Sequence, residues 1–185
     1  QAAVPVGMGS MVAVLGIETN DIIKIISEAD IGKGVCEIAN DNAVGQVIVS
    51  GNKDCIQVLQ TIFKSKKIKT IPLKVSAPFH CSLMKPAAIE METKINSTKF
   101  NDPSISIINN VTAKPEKNAD AIKALLIEQI YSTVKWRETL IKMSDDKVSK
   151  FIEIGPGKAL SGMVKRTIKN ANCFSINSIA DIKNL

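Results

Sequence analysis

Few side chains in this sequence could move a proton or form a covalent intermediate near neutral pH. It contains one histidine, His80, and four cysteines, Cys36, Cys55, Cys81 and Cys173. His80 lies in the stretch Lys-Val-Ser-Ala-Pro-Phe-His-Cys-Ser-Leu-Met, residues 74–84. An imidazole accepts a proton in the physiological range without any perturbation, so His80 is the candidate general base; a histidine filling a polar niche is the plainer alternative. Cys81 beside it suggests a cysteine–histidine pair. Adjacent residues of an extended backbone project to opposite sides, however, which places Cys81 poorly for activation by its neighbour. A serine nucleophile on a strand-to-helix elbow needs glycine two positions before and two after it, and no serine here has both. Gly155-Pro156-Gly157-Lys158 could open a phosphate-binding helix N-terminus. It lacks the Gly-x-x-x-x-Gly-Lys spacing, and a tight turn is the plainer reading. The cysteines lie far apart and match no zinc spacing, so no metal site is expected. The residues thus offer a base and no visible nucleophile.

The elements that must position His80 follow from periodicity. The apolar run from Ile71 to Val75 reads as a strand leading in, and Pro78 forbids it from continuing as a central strand. After Ser82, apolar residues recur at helical steps (Met84, Ala87, Ala88, Met91, Ile95), predicting a helix to about Thr98. His80 therefore sits on a strand-to-helix corner. Upstream, a strand over residues 10–16 precedes a helix capped by Thr19 or Asn20. Strands over residues 35–39 and 46–49 flank the turn-rich segment Asn40 to Gly45. A helix opened by Asn52, with Ile56, Leu59, Ile62 and Phe63 inward, leads to a strand over residues 68–75. Strand, helix, strand, strand, helix, strand is the split βαβ or ferredoxin-like order, spanning about residues 1–75.

The rest of the chain, 76–185, has a different texture. A strand over residues 105–108 ends in Asn109-Asn110, and a helix over 119–130 carries Ile122, Leu125, Leu126 and Ile130 on one face. Gln129 falls on that same face, where an unpaired buried amide would cost ~1–3 kcal/mol, so it either finds partners or is a boundary residue whose amide reaches water. Trp136 precedes a helix to about Met143. A strand over 150–154, a helix over 158–169 and a short strand over 173–176 complete the pattern.

Composition sets the class. At 185 residues and 45% hydrophobic, the chain has ample material for a core, and no apolar run approaches the ~20 residues of a membrane helix. The net charge of +6 comes from 24 basic and 18 acidic residues, scattered apart from a lysine cluster over 64–69. Only 4% of residues are aromatic, which argues against a nucleic-acid stacking platform; a solvated surface is the plainer reading of the charge, with some attraction to an acidic protein beside it. Unpaired cysteines suggest a reduced compartment, cytoplasmic or organellar. The chain begins at Gln1 rather than methionine, which suggests the downstream part of a longer protein.

Several motifs in this order resemble one family. They are Ala3-Val4-Pro5, Gly7-Met8-Gly9 and Met11; Asn40, Asn42, Gly45-Gln46 and Gly51; residues 75–87 around His80; Asn109-Asn110-Val111; Gln129-Ile130-Tyr131 with Val134 and Trp136; and Glu153 to Lys158 with Leu160 and Gly162. The chain is similar along essentially its whole length to the malonyl-CoA:acyl carrier protein transacylases of type II fatty acid synthesis. That resemblance implies an α/β enzyme: a ferredoxin-like (βαββαβ) small subdomain, 1–75, plus the C-terminal part, 76–185, of an α/β-hydrolase-like large subdomain. It implies acylation of an elbow serine by malonyl-CoA and transfer of the malonyl group to the carrier protein's phosphopantetheine thiol. In it His80 corresponds to the base, and Gln129 to the residue whose main-chain carbonyl holds the imidazole in place of a triad carboxylate. Asn40 and Asn42 correspond to positions beside the acyl and CoA channel, and Phe79 to a residue that accompanies malonyl use. The family's serine elbow and carboxylate-binding arginine have no counterpart in these residues. The resemblance implies malonyl-CoA and acyl carrier protein as partners, a monomer, and no cofactor, nucleic acid or membrane. Two rivals are a non-catalytic module that binds acyl carrier protein and a ferredoxin-like RNA-binding domain. The latter would need paired exposed aromatics on its strands.

Overall fold

The computed structural model describes residues 3–183 of the chain. It is a mixed α/β structure built around one antiparallel sheet. That sheet comprises β1 (Gly9–Leu15), β2 (Cys36–Ala43), β3 (Gln46–Asn52) and β4 (Lys69–Pro72), in the order β2-β3-β1-β4. Helices α1 (Thr19–Glu28) and α2 (Lys53–Ser65) connect β1 to β2 and β3 to β4. Alternation along the strands divides the side chains between two faces. Val12, Val14, Val47 and Val49 point one way and are sealed by Ile22, Ile56, Leu59 and Phe63 of the helices. Met11, Ala13, Ala39 and Ile48 point the other way, where Leu73 and Phe79 pack on them. This second face carries the histidine loop.

Strand β2 runs further than its composition predicts. Asn40, Asp41 and Asn42 read as a turn, but they lie within the strand, and only Val44-Gly45 remains as the hairpin connection to β3. Register shifts between Ile38 and Asn40 and between Asp41 and Ala43 absorb the poor strand formers as bulges. Gly45, at φ +67°, supplies the left-handed conformation that a two-residue hairpin needs. Asp41, only 5% exposed, is kept in the strand by partners: its Oδ2 accepts from Thr19 Oγ1 at 3.1 Å and from Arg137 Nη2 at 2.8 Å. The Thr19 hydroxyl is therefore not a helix cap. Glu18 occupies the N-cap of α1, and its side chain makes no capping bond. Asn52 does sit at the N-cap of α2, yet its amide oxygen accepts from Val35 N at 2.7 Å instead of capping. β4 ends at Pro72, earlier than the apolar run suggests, since proline cannot donate to the ladder and is tolerated here at a sheet edge.

After the histidine loop come a 3₁₀ turn (Ser82–Met84) and helix α3 (Lys85–Ser97), one helix pattern in the sequence but two elements in the structure. Strands β5 (Ile107–Ile108) and β6 (Pro115–Glu116) pair as a short ladder around an Asn109 turn; β6 has no sequence signal. The Asn109 carboxamide oxygen accepts from the N–H groups of Val111 and Thr112, at 3.0 and 2.9 Å, and so fixes that turn. Helix α4 (Ala119–Glu128) stops two residues before the predicted end, and Asn118 caps it through Ala121 N. Helix α5 (Trp136–Asp145) follows, then β7 (Lys150–Ile154), α6 (Ala159–Thr167), β8 (Asn172–Ile176) and a short α7 (Ile179–Ile182). β7 and β8 pair in parallel, as the intervening helix requires. Leu140, Val164 and Ile168 form the core of this unit. Among the described residues, no helix is long and apolar enough to cross a membrane.

Candidate active site

His80 lies in the loop between β4 and the 3₁₀ turn, partly exposed, with φ at +58°. A left-handed residue other than glycine costs ~1–3 kcal/mol and persists only where its surroundings over-determine it. Three sets of bonds do so. Cys81 Sγ donates to Pro78 O at 3.1 Å and closes the loop on itself. Ser82 donates its N–H to Glu37 Oε2 at 2.8 Å and its hydroxyl to Oε1 at 2.6 Å, tying the loop to β2. The imidazole itself is held at 2.9 Å between Nδ1 and the main-chain oxygen of Gln129. Hydrogen bonds to a charged group contribute ~1.5–3 kcal/mol each, so the Glu37 pair alone offsets the strain.

The Gln129 contact fixes the chemistry of the ring. A carbonyl oxygen only accepts, so Nδ1 carries the proton and Nε2 is left as the basic nitrogen. Gln129 is the C-cap of α4, and its own N–H still bonds Leu125 O. Its carbonyl belongs to the set that a helix end leaves without intrahelical partners. A helix terminus thus stands where a carboxylate would stand in a triad. The Gln129 side chain turns elsewhere: its Oε1 accepts from Asn110 Nδ2 at 3.4 Å.

His80 opens onto a cleft that it shares with Glu37, Glu128, Tyr131, Thr133 and Lys135. The other sequence candidates are placed differently. Phe79 adjoins His80 but packs between two clusters, Met11, Ala13, Ala39 and Ile48 on one side and Val4, Ala77 and Met84 on the other. Asn40 and Asn42 lie on β2 and do not line this cleft. Asn40 instead bridges Val134 through the main chain. Cys81 is fully buried, and burial pushes its thiol above the ordinary range, so it supplies no thiolate. This burial excludes it, rather than the extended backbone assumed from sequence, because His80 is left-handed. Cys36 is likewise pushed up to about 12, first by burial and then by its cysteine neighbours. The Gly155-Lys158 turn holds no phosphate cradle, since the helix N–H groups of Leu160 and Ser161 are taken by the Glu153 carboxylate at 3.1 and 2.8 Å.

Glu37 and Thr133 escaped the sequence reading. Glu37 left a signal: it is the one charged residue in the strand Val-Cys-Glu-Ile-Ala, and it faces the histidine loop. Thr133, whose hydroxyl donates to Ile38 O at 2.6 Å, left none.

No protein-family model matches the chain. A malonyl CoA-acyl carrier protein transacylase of Haemophilus influenzae is 39% identical over 181 residues, which is 97% of this chain and 58% of that protein. The acyl carrier protein S-malonyltransferase of Vibrio cholerae superimposes with a TM-score of 0.92 at 40% identity, over 98% of this chain and 60% of that one. A malonyl-transacylase solved in complex with its type II PKS acyl-carrier protein gives 0.93 at 34% identity, over 100% of this chain and 60% of that one. The chain spans less than three-fifths of the length of the curated relatives it matches. By sequence and by fold, the chain is similar along nearly its whole length to malonyl CoA-acyl carrier protein transacylases, over the part of those proteins that it covers.

Proposed function

We propose that this chain supplies the base side of a malonyl-CoA:acyl carrier protein S-malonyltransferase, with the nucleophile coming from polypeptide outside these residues. The observation that carries the reading is the 2.9 Å contact between His80 Nδ1 and Gln129 O, which leaves Nε2 as a base. In this reading Nε2 takes the proton from a serine hydroxyl as the oxygen attacks the malonyl thioester carbonyl. The C–S bond breaks, coenzyme A leaves with that proton as its thiol, and a malonyl ester remains on the serine. The carrier protein's phosphopantetheine thiol then attacks the ester, His80 again accepting the proton and returning it to the serine oxygen. The likeness to malonyl CoA-acyl carrier protein transacylases supports the substrates, and the complex solved for one similar protein supports an acyl carrier protein as acceptor. Asn40 and Asn42 border the channel in this assignment, and Phe79 limits space beside the acyl α-carbon.

The same reading divides the chain into a ferredoxin-like subdomain, 1–75, and a hydrolase-like portion, 76–185. The strand order β2-β3-β1-β4 with both helices on one face supports the first. The parallel β7-α6-β8 unit supports the second. The base assignment is tested by His80→Ala in the active enzyme that contains this chain. Serine acylation should slow by ~10²–10⁴-fold, the range for a positioned general base. Malonyl transfer within a few-fold of wild type at neutral pH would remove His80 from that role.

A further inference from the structure

We infer that Glu37 is a positioning residue for His80. It acts through Ser82 to hold the imidazole in register with the Gln129 carbonyl, and its importance for catalysis rests on the function proposed above. Both partners of the imidazole–carbonyl contact hang from one strand. On the histidine side, the Glu37 carboxylate takes the N–H and hydroxyl of Ser82, two residues beyond His80. On the carbonyl side, the segment after Gln129 is fixed to the next residues of β2. Thr133 Oγ1 donates to Ile38 O at 2.6 Å, Val134 N to Ala39 O at 2.8 Å, and Asp41 N to Val134 O at 3.0 Å. Residues 37–41 therefore set the distance across which His80 meets Gln129.

The loop has reason to move if that hold is lost. His80 is left-handed, and a non-glycine residue relaxes from such a conformation once its surroundings stop enforcing it. The Cys81 to Pro78 bond is internal to the loop and fixes its shape, not its place on the sheet. Glu37 shares the cleft with His80, Glu128 and Lys135, but its two oxygens are directed to Ser82. The role assigned to it is geometric. Glu37→Gln should preserve it, because the amide oxygen can accept from Ser82 N–H while the amide N–H donates to Ser82 Oγ.

His80 is the only histidine, so its ring gives a single set of imidazole signals in ¹⁵N–¹H NMR of the 185-residue chain. Wild type and Glu37→Gln should show the Nδ1–H tautomer alone. Glu37→Ala should lose it in favour of a mixture containing Nε2–H, the form a free histidine side chain prefers. A purely structural role would lower the melting temperature but leave the tautomer of the folded chain unchanged. If Glu37→Ala does not fold, Ser82→Ala, which removes one of the two bonds, should show a partial loss. A wild-type tautomer in folded Glu37→Ala, or in Ser82→Ala where the former is unfolded, would overturn the inference. In the active enzyme, Glu37→Ala should lower kcat ~10–100-fold at nearly constant KM, with rescue by glutamine. An altered tautomer together with full activity of His80→Ala would instead retain the positioning and reject the proposed catalytic role.

Discussion

The imidazole of His80 is arranged to gain and lose a proton at one nitrogen only. Nδ1 is committed to the Gln129 carbonyl at the end of α4, which replaces a charged orienting group with a helix terminus. Phe79, the preceding residue, packs between the sheet face and the Val4–Ala77–Met84 cluster, and in the function proposed above this ring limits the space for a larger acyl group. An added methyl at the acyl α-carbon should meet an overpacking penalty of ~1–3 kcal/mol. Phe79→Ser is expected to narrow the preference for malonyl-CoA over methylmalonyl-CoA in direct competition. An unchanged ratio would leave Phe79 as a packing residue alone.

Several helix ends are held by carboxylates, and these make stability respond to acid. Glu153 is held below the usual carboxylate range by the Ser161 hydroxyl and by the N–H groups of Ser161 and Leu160 at the start of α6. Asp181 is lowered by Asn177 N–H and by the Ser178 hydroxyl and N–H, in the capping box of α7. A carboxylate whose pKa is lower folded than unfolded stabilises the fold above its unfolded value of ~4 and loses that contribution as pH falls through the folded one. The melting temperature should therefore fall as the pH drops below about 4. Glu153→Gln combined with Asp181→Asn should flatten that acid limb; an unchanged limb would assign it to other groups. The element pattern itself was largely readable from sequence, because long amphipathic segments such as α2 state their period plainly. What was not readable depended on tertiary partners. Asn40-Asp41-Asn42 carries turn chemistry, and tertiary partners keep it in a strand: the Arg137 and Thr19 contacts to Asp41, the main-chain bonds to Val134 and two bulges. His80 and Gln129 stood out as single residues, but their registration across β2 could not be seen until Glu37 and Thr133 were placed.

Across the molecule, the excess of lysine and the exposed apolar surface point to partners. The cluster of lysines over residues 64–69 is exposed, and the overall charge of +6 would attract an acidic carrier. The KM for acyl carrier protein should rise with ionic strength while hydrolysis of malonyl-CoA changes little, as salt screens steering between separated charges. A salt-independent KM would leave the lysines as solubilising charge. Ile152 and Ile154 on β7 are exposed, Ile154 by 80%, and β7 pairs on one side only among the described residues. Such an edge is suited to further strands. No serine of the chain carries the elbow signature, and Cys81 is sealed in the loop. In the function proposed above, His80 is the base and the group it deprotonates comes from outside these residues. The most direct measurement is incubation of the 185-residue chain alone with labelled malonyl-CoA and holo acyl carrier protein, followed by mass spectrometry of chain and carrier. The account predicts no malonyl group on any residue of the chain and none transferred to the carrier. A covalent malonyl adduct on a residue of this chain, or malonylated carrier in its presence alone, would contradict it.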